Sequence, residues 1–205
     1  ILVANSLKEQ LMFHINEEWN KMYGGDPLSS DMYPKIIHKG HYDRLLGLID
    51  PEKVKYGGDK NDETLKISPT ILDGITLDDP VMKEEIFGPI LPVIGVNSLQ
   101  EAIDLIHKFE KPLALDYYGN SSEAKAVLKK TSSGGACIND AMMHIANTNL
   151  PFGGVGHSGY GAYHGYDSFL CFTHKKAVVT TPTWIDLPFK YVPFKGFKWL
   201  KKFLT

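Results

Sequence analysis

The clearest candidate for chemistry in this sequence is Glu85, the second residue of an acidic pair that runs directly into an apolar segment, residues 86–93. A glycine and two prolines stiffen that segment, which is typical of the start of a buried strand. A carboxylate at such a position lies at the sheet edge where open α/β sheets bind ligands. Glu85 is therefore a candidate binding residue, and the alternative is a solvated acid beside a core aromatic, Phe87.

The two cysteines, Cys137 and Cys171, are candidate nucleophiles. Both are flanked by apolar residues, which favours inert buried thiols over reactive thiolates. An enzyme that uses Cys137 as its nucleophile is an alternative, and fast alkylation of that thiol at neutral pH would support it. Two cysteines do not make a disulfide framework, so the sequence indicates a reducing compartment.

Two further patterns resemble ligand sites, but the residues around them support neither site. His38 and His41 are three residues apart, but no other ligand set accompanies them, so we predict no metal site. Residues 151–161 hold five glycines and satisfy the G-x-G-x-x-G pattern. A dinucleotide fingerprint needs a strand before it and a helix opening on it, and neither is indicated here. The glycines instead predict a tight loop with positive φ angles and close backbone approach.

Composition narrows the class of protein. The 205 residues carry a formal net charge of −2 and are 43% hydrophobic, which describes a soluble globular protein with a sizeable core. No basic patch indicates a nucleic-acid partner. No signal peptide or membrane-spanning apolar run is evident. The sequence begins with Ile1-Leu2-Val3 and no methionine, so we expect a fragment of a longer protein.

Hydrophobic periodicity predicts the elements that position these residues. Helices are predicted over residues 6–23, 42–49, 98–111, 121–130 and 166–172, with capping boxes at Ser6 and Ser98. Strands are predicted over residues 54–56, 65–72, 91–96, 113–118, 136–138 and 176–181. Strand 65–72 is expected at a sheet edge because it contains Pro69. The strand–helix alternation after residue 91 predicts an α/β fold with a parallel-type sheet and flanking helices.

Several segments, in the same order, resemble aldehyde dehydrogenases of the class-three and fatty aldehyde branch. They are Glu-Ile-Phe-Gly-Pro at 85–89, Glu-Lys-Pro-Leu-Ala-Leu at 110–115, Thr-Ser-Ser-Gly-Gly at 131–135 and the glycine-rich segment at 150–165. The resemblance extends from about the first helix to residue 180. It implies the C-terminal part of an aldehyde dehydrogenase catalytic domain, with NAD or NADP as coenzyme.

The resemblance also implies residue roles. Glu85 would accept hydrogen bonds from both hydroxyls of the nicotinamide ribose, and Phe87 would pack near the nicotinamide ring. Met142, Ile145 and Ala146 would wall the aldehyde tunnel, and His164 would lie close to bound substrate. The alternatives are ordinary core packing for the apolar residues and a structural histidine.

By the same resemblance, the nucleophilic cysteine and the general-base glutamate lie upstream of Ile1. The chain alone is therefore expected to be inactive, as part of an enzyme that oxidises medium- or long-chain aldehydes to carboxylic acids. A non-catalytic binding or assembly module that keeps the fold is the alternative.

Three regions are expected along the chain: a partial catalytic domain at 1–172, an oligomerisation strand and linker at 173–188, and a basic amphipathic tail at 189–205. The strand implies a homodimer by resemblance, with an ordinary edge strand as the alternative. The tail alternates lysines with aromatic residues, which suits a membrane surface or packing against protein. The expected location is the cytoplasm or the cytoplasmic face of an intracellular membrane.

Overall fold

The computed structural model describes residues 1–187, 190–193, 196, 198 and 201–202. Helices and short strands alternate along the chain, with 3-10 turns at Pro51–Lys53, Pro80–Met82 and Gly156–Ser158. The helices are α1 (Lys8–Tyr23), α2 (Lys39–Gly47), α3 (Leu99–Ile106), α4 (Ser121–Lys130), α5 (Met143–Ala146) and α6 (Gly165–Cys171). The strands are β1 (Leu2–Ala4), β2 (Val54–Tyr56), β3 (Lys60–Asn61), β4 (Lys66–Ile67), β5 (Thr70–Leu72), β6 (Ile90–Pro92), β7 (Ile94–Val96), β8 (Ala114–Tyr117) and β9 (Gly135–Ile138).

Parallel pairing dominates the sheets, as the sequence predicted. The pairs β1–β7, β5–β6 and β8–β9 are parallel, whereas β2–β5 and β3–β4 are antiparallel. The strands form one three-stranded sheet, in the order β2-β5-β6, and two-stranded pairs elsewhere in the described residues. The α/β class is confirmed, with short separate ladders where one larger sheet was expected.

The predicted strand 91–96 is in fact two strands that belong to different sheets. β6 ends at Pro92 and pairs with β5, whereas β7 begins at Ile94 and pairs with β1. Val93 lies between them, fully buried, and its N–H donates to the Leu72 carbonyl at 2.9 Å. The change of partner comes between Val93 and Ile94, because the next N–H, that of Ile94, donates to the Ile1 carbonyl at 2.9 Å.

The predicted strand 65–72 is also divided, and its expected position at an edge was wrong. Pro69 separates β4 from β5, and β5 is the central strand of the three-stranded sheet. Proline precedes β5 without lying in it, so each residue of β5 keeps its N–H for pairing. All three β5 residues are buried.

The first helix begins differently from its prediction. Its N-cap is Leu7, whose apolar side chain cannot cap the helix, whereas Ser6 lies one residue earlier in a tight turn closed by the Leu7 N–H donating to the Ala4 carbonyl at 2.8 Å. The helix buries Met12 against Ile71 and Val93. At the second predicted capping box, Ser98 does accept from the Glu101 N–H at 3.1 Å.

A larger core cluster lies between α2 and the three-stranded sheet. Its buried members are Tyr42, Leu45, Leu48, Ile67, Leu72, Ile75, Val81 and Ile90. One face of α2 therefore packs against the sheet, which fixes the position of the helix. Its other side chains lie beside the segment that leads into β6.

Asp79 closes the turn that leads into that segment, and it gives a pH-dependence test. A side-chain hydrogen bond from Lys53 lowers the pKa of Asp79 from 3.8 to about 2, and the Thr76 backbone N–H, at 2.6 Å, adds to the effect. Because the pKa of Asp79 is depressed in the folded state, its ionised carboxylate stabilises the fold at pH values above 3.8. That stabilisation is lost as the pH falls from 3.8 towards 2. We therefore expect the Asp79→Asn variant to lose less unfolding free energy over that interval than the parent.

Urea unfolding at the two ends of the interval, followed by circular dichroism, measures this difference. Asp78→Asn is the matched control and should follow the parent, because Asp78 is an exposed neighbour paired with Lys83 at 3.1 Å. Equal acid sensitivity in the Asp79→Asn variant and the parent would contradict the assignment.

Helix α6 confirms the predicted helix at 166–172, and the residues described beyond it are exposed. No strand forms over 176–181 in the described single chain, so the predicted oligomerisation strand is not formed here. Most apolar residues of the predicted amphipathic tail (Phe194, Phe197, Trp199, Leu200, Phe203 and Leu204) lie outside the described residues. Among the described residues, no helix is both long and apolar enough to cross a membrane.

Candidate coenzyme and substrate site

Helix α2 anchors the acidic loop that the sequence singled out. The Arg44 guanidinium binds the Glu84 carboxylate, with Nη1 and Oε1 2.5 Å apart, and also donates to the Ile86 carbonyl. His41 Nε2 lies 2.8 Å from the Phe87 carbonyl, so this nitrogen carries the proton and donates. His41 Nδ1 then accepts from Arg44 Nε at 3.3 Å. Two α2 side chains, His41 and Arg44, thus hold three groups of the loop, at residues 84, 86 and 87.

These contacts hold Phe87 in an unfavourable backbone conformation. Its φ is +49°, in the left-handed region that non-glycine residues rarely adopt, and this costs on the order of 1–3 kcal/mol. Its ring is 74% exposed, so ring burial does not offset that cost. Gly88 follows with its Cα so close to α2 that an added Cβ would lie 2.5 Å from Leu45 Cδ2. The loop is therefore shaped by its contacts with α2.

The two acids of the loop have different environments. Glu84 is paired with Arg44, whereas Glu85 is exposed and makes no hydrogen bond or ion pair with any residue the structure describes. A free carboxylate offers two oxygens as acceptors and suits a ligand with two adjacent hydroxyl donors. Of the pair, Glu85 is the one available for binding.

The histidine pair that suggested a metal site has structural roles. His38 caps α2, with its Nδ1 accepting from the His41 N–H at 3.0 Å, while the His41 ring binds the Phe87 carbonyl. Both rings are therefore engaged in positioning α2 and the acidic loop.

The glycine-rich segment folds as the tight loop that the sequence predicted. An antiparallel bridge joins Phe152 and Tyr163 through two backbone hydrogen bonds of 2.9 and 3.0 Å. Within the loop, a Cβ added to Gly153 would lie 2.1 Å from the Gly161 carbonyl oxygen, and one added to Gly154 would lie 2.0 Å from that of Ser158. Close backbone contact requires Gly153 and Gly154, and positive φ angles favour glycine at 156, 159 and 161, as predicted for a tight loop.

The predicted substrate-side residues flank this loop. His164 Nδ1 lies 3.1 Å from the Leu150 carbonyl, and its ring stacks on Phe152 with centroids 6.1 Å apart. Phe152 also contacts His144 of α5, at 5.8 Å. Of the three α5-region residues predicted to wall a tunnel, Ile145 is half-buried, whereas Ala146 is exposed and Met142 is 66% exposed.

The structure thus brings the α5 region and His164 together around Phe152. In the described part of the chain, no hydrogen bond, ion pair or ring contact joins this group to the Glu85 loop. The two predicted cysteine environments also differ: Cys137 is buried as expected, whereas Cys171, at the exposed end of α6, is exposed and its predicted burial was wrong. Little of the described chain covers that end of α6.

Comparison with known proteins identifies the family. Residues 1–178 match the family model described as the aldehyde dehydrogenase family. The chain belongs to the aldehyde dehydrogenase family. It is 47% identical over 178 residues to aldehyde dehydrogenase family 3 member B1 of Bos taurus, covering 86% of this chain and 38% of that protein. This match confirms the predicted class-three branch.

Two further comparisons extend this one. The dimeric NADP-preferring aldehyde dehydrogenase of Bos taurus is 42% identical over 183 residues, which cover 89% of this chain and 77% of that protein. The solved substrate-bound state of Staphylococcus aureus AldH superposes with a TM-score of 0.84 at 40% identity, covering all of this chain and 46% of that one. The chain spans less than half the length of this enzyme and of the member B1 protein.

Sequence inspection of this aldehyde dehydrogenase chain missed the residues that anchor the loop. Arg44 is the only arginine among the 205 residues, a signal that was available. A guanidinium presents a rigid, planar set of donors, so a single arginine in a lysine-rich sequence indicates a site that needs that geometry. His41 offered no comparable signal, because its partner is a backbone carbonyl 46 residues away.

Proposed function

We propose that this chain is the C-terminal part of an NAD(P)-dependent aldehyde dehydrogenase that oxidises medium- or long-chain aldehydes to carboxylic acids. The observation that carries the proposal is the unpaired Glu85 carboxylate on a loop fixed by Arg44 and His41. Its two oxygens suit the two hydroxyls of a nicotinamide ribose. The exposed Phe87 ring, two residues on, offers an apolar surface for the nicotinamide itself.

The bound nicotinamide would supply the hydride acceptor for aldehyde oxidation. In the proposal, this chain's contribution is to bind and orient the coenzyme through Glu85 and Phe87. The nucleophilic cysteine and the general-base glutamate would come from sequence upstream of Ile1, because neither Cys137 nor Cys171 matches the family's catalytic position.

On the substrate side, Met142, Ile145 and Ala146 would present an apolar wall to the aldehyde chain, and His164 would lie beside the bound substrate. The hydrogen bond between His164 Nδ1 and the Leu150 carbonyl supports this role, because it fixes the ring and leaves Nε2 as an acceptor. An apolar wall favours medium- or long-chain aldehydes over small polar ones.

We further propose a homodimer formed through the 173–188 region. Its exposed apolar side chains, among them Val178, Val179 (89% exposed) and Trp184, support a protein-covered surface. The name of the bovine NADP-preferring relative describes that enzyme as dimeric. The same proposal divides the rest of the chain into two regions. Residues 1–172 form a partial catalytic domain, and residues 189–205 form a basic tail that faces a membrane on its cytoplasmic side.

An NAD(P)-coupled assay with a medium-chain aldehyde tests the function. The 205-residue chain is expected to show no oxidation, and a chain extended upstream through the catalytic cysteine is expected to show it. Activity in the 205-residue chain would contradict the placement of the nucleophile. A folded but inactive extended chain would instead favour the non-catalytic module.

A further inference from the structure

Three side chains with metal-binding atoms meet on the β8–β9 pair, and none of the three is among the residues assigned above to coenzyme or aldehyde, although His144 adjoins Ile145 in α5. Asp116 of β8 and Cys137 of β9 are direct register partners in these parallel strands, so their side chains leave the same face. His144, on the short helix after β9, places its Nδ1 3.3 Å from Cys137 Sγ. One ligand atom from each of the three lies within 4.8 Å of the other two.

The backbone fixes His144 in this position. The turn from β9 to α5 contains Asn139 and Met142 at φ angles of +56° and +61°. The Asn139 amide holds that turn, because its oxygen accepts from the Gly119 N–H at 2.8 Å and its nitrogen donates to the Gly119 carbonyl at 3.1 Å. Gly135 lets the imidazole lie against β9, since an added Cβ there would be 2.5 Å from His144 Cδ2.

The three groups have few competing partners. Asp116 makes no hydrogen bond or ion pair with the described residues, and Cys137 contacts only His144 through its sulfur. His144 Nε2 is buried and has no hydrogen-bond partner among the described residues, so Nδ1 is the ring nitrogen that faces the cluster. Cys137 is 8% exposed whereas Asp116 is exposed, so the cluster opens to solvent on the carboxylate side.

We propose that Asp116, Cys137 and His144 form a binding site for a divalent metal ion of the zinc class. Thiolate, imidazole and carboxylate are the three ligand types that Zn²⁺ takes from proteins. With Zn–S near 2.3 Å and Zn–N near 2.0 Å, a tetrahedral ion holds its sulfur and nitrogen ligands about 3.5 Å apart, close to the separation seen here. The fourth position faces solvent and takes a water molecule.

Binding requires the Cys137 thiol to release its proton to solvent as the metal–sulfur bond forms. The proposal does not depend on the proposed aldehyde oxidation, because none of the three residues is assigned to coenzyme or substrate. No local pattern predicts the site, since residues 116, 137 and 144 match no metal-binding spacing, and the strand register together with the β9–α5 turn brings them close.

Cobalt titration of the 205-residue chain, prepared without a histidine tag, tests the proposal. Co²⁺ is expected to produce a thiolate-to-metal charge-transfer band and tetrahedral visible bands, which added Zn²⁺ should remove. Cys137→Ser should abolish the charge-transfer band. Asp116→Asn and His144→Gln should each weaken binding by about tenfold or more.

Cys171→Ser is the matched control, because it removes the only other thiol and should leave the cobalt spectrum unchanged. Far-ultraviolet circular dichroism confirms that each variant is folded, and Asp116 is exposed enough for its variant to keep the fold. The absence of a charge-transfer band from the folded parent, or its persistence in Cys137→Ser, would overturn the proposal. So would unchanged cobalt affinity in Asp116→Asn.

Discussion

Replacing Gly154 with alanine is expected to lower the free energy of unfolding by about 3 kcal/mol, the cost of severe overpacking. The new Cβ would lie 2.0 Å from the Ser158 carbonyl oxygen and 2.6 Å from the Gly159 nitrogen. These are backbone atoms of the same loop, so relief requires the loop to move. Movement would disturb the bond from the Val155 N–H to the Ser158 hydroxyl, at 2.9 Å. Urea unfolding followed by circular dichroism measures the loss.

Gly47→Ala is the matched control. Gly47 is the last residue of α2, and an added Cβ there has no other atom within 4 Å. Alanine has the higher helix propensity, so this variant is expected within about 1 kcal/mol of the parent, on the stable side. Equal stability of the Gly154→Ala and Gly47→Ala variants would show that the glycine loop does not need its close backbone contact.

Replacing Glu85 with glutamine is expected to raise the KM for the nicotinamide coenzyme by about 10- to 100-fold in the active, upstream-extended chain. Hydrogen bonds to a charged group contribute roughly 1.5–3 kcal/mol, and 1.4 kcal/mol is about tenfold in affinity. Glutamine keeps one acceptor oxygen but turns an NH₂ group towards the second ribose hydroxyl. Steady-state kinetics with varied NAD or NADP, at saturating aldehyde, measure the change.

Glu84→Gln makes the same chemical change one residue earlier. Glu84 is held by Arg44 and is half-exposed, so the loss of that ion pair costs at most about 1 kcal/mol. Its effect on the coenzyme KM is expected to be less than about fivefold. If the two variants raised KM equally, the loop's shape, and not a ribose contact by Glu85, would account for the result.

The sequence predicted a helix or strand correctly where the interactions that define it are local. Helix α4 was predicted with both its bounds because its apolar spacing and flanking residues are contiguous. The division at Val93 was missed because it depends on β5 and β1, which lie at least 20 residues away along the chain. The prediction that residues 65–72 lie at a sheet edge failed for the same reason. Pro69 would disfavour a central position only if it lay inside a strand, and the limits of the strands depend on pairing with distant residues.

The candidate site shows a similar division. Glu85 was predicted because its neighbours form a recognisable motif, and the structure adds that its carboxylate has no partner among the described residues. Arg44 and His41 act on that motif from another helix, at separations of about 40 residues or more, so no local pattern marks them as a set. The Asp116–Cys137–His144 cluster depends on register between strands, which no spacing along the chain encodes.

The pairing of β1 with β7 has a consequence for how the chain forms during translation. Leu2, Val3 and Ala4 lie opposite Ile94, Gly95 and Val96, so this ladder cannot form until the chain has been extended 92 residues beyond Leu2 (94 − 2 = 92). Helix α1 needs no such delay, because its hydrogen bonds are local. While the intervening residues are synthesised, the edge of β1 stays unpaired, so this segment is exposed to aggregation and is suited to binding by a ribosome-associated chaperone.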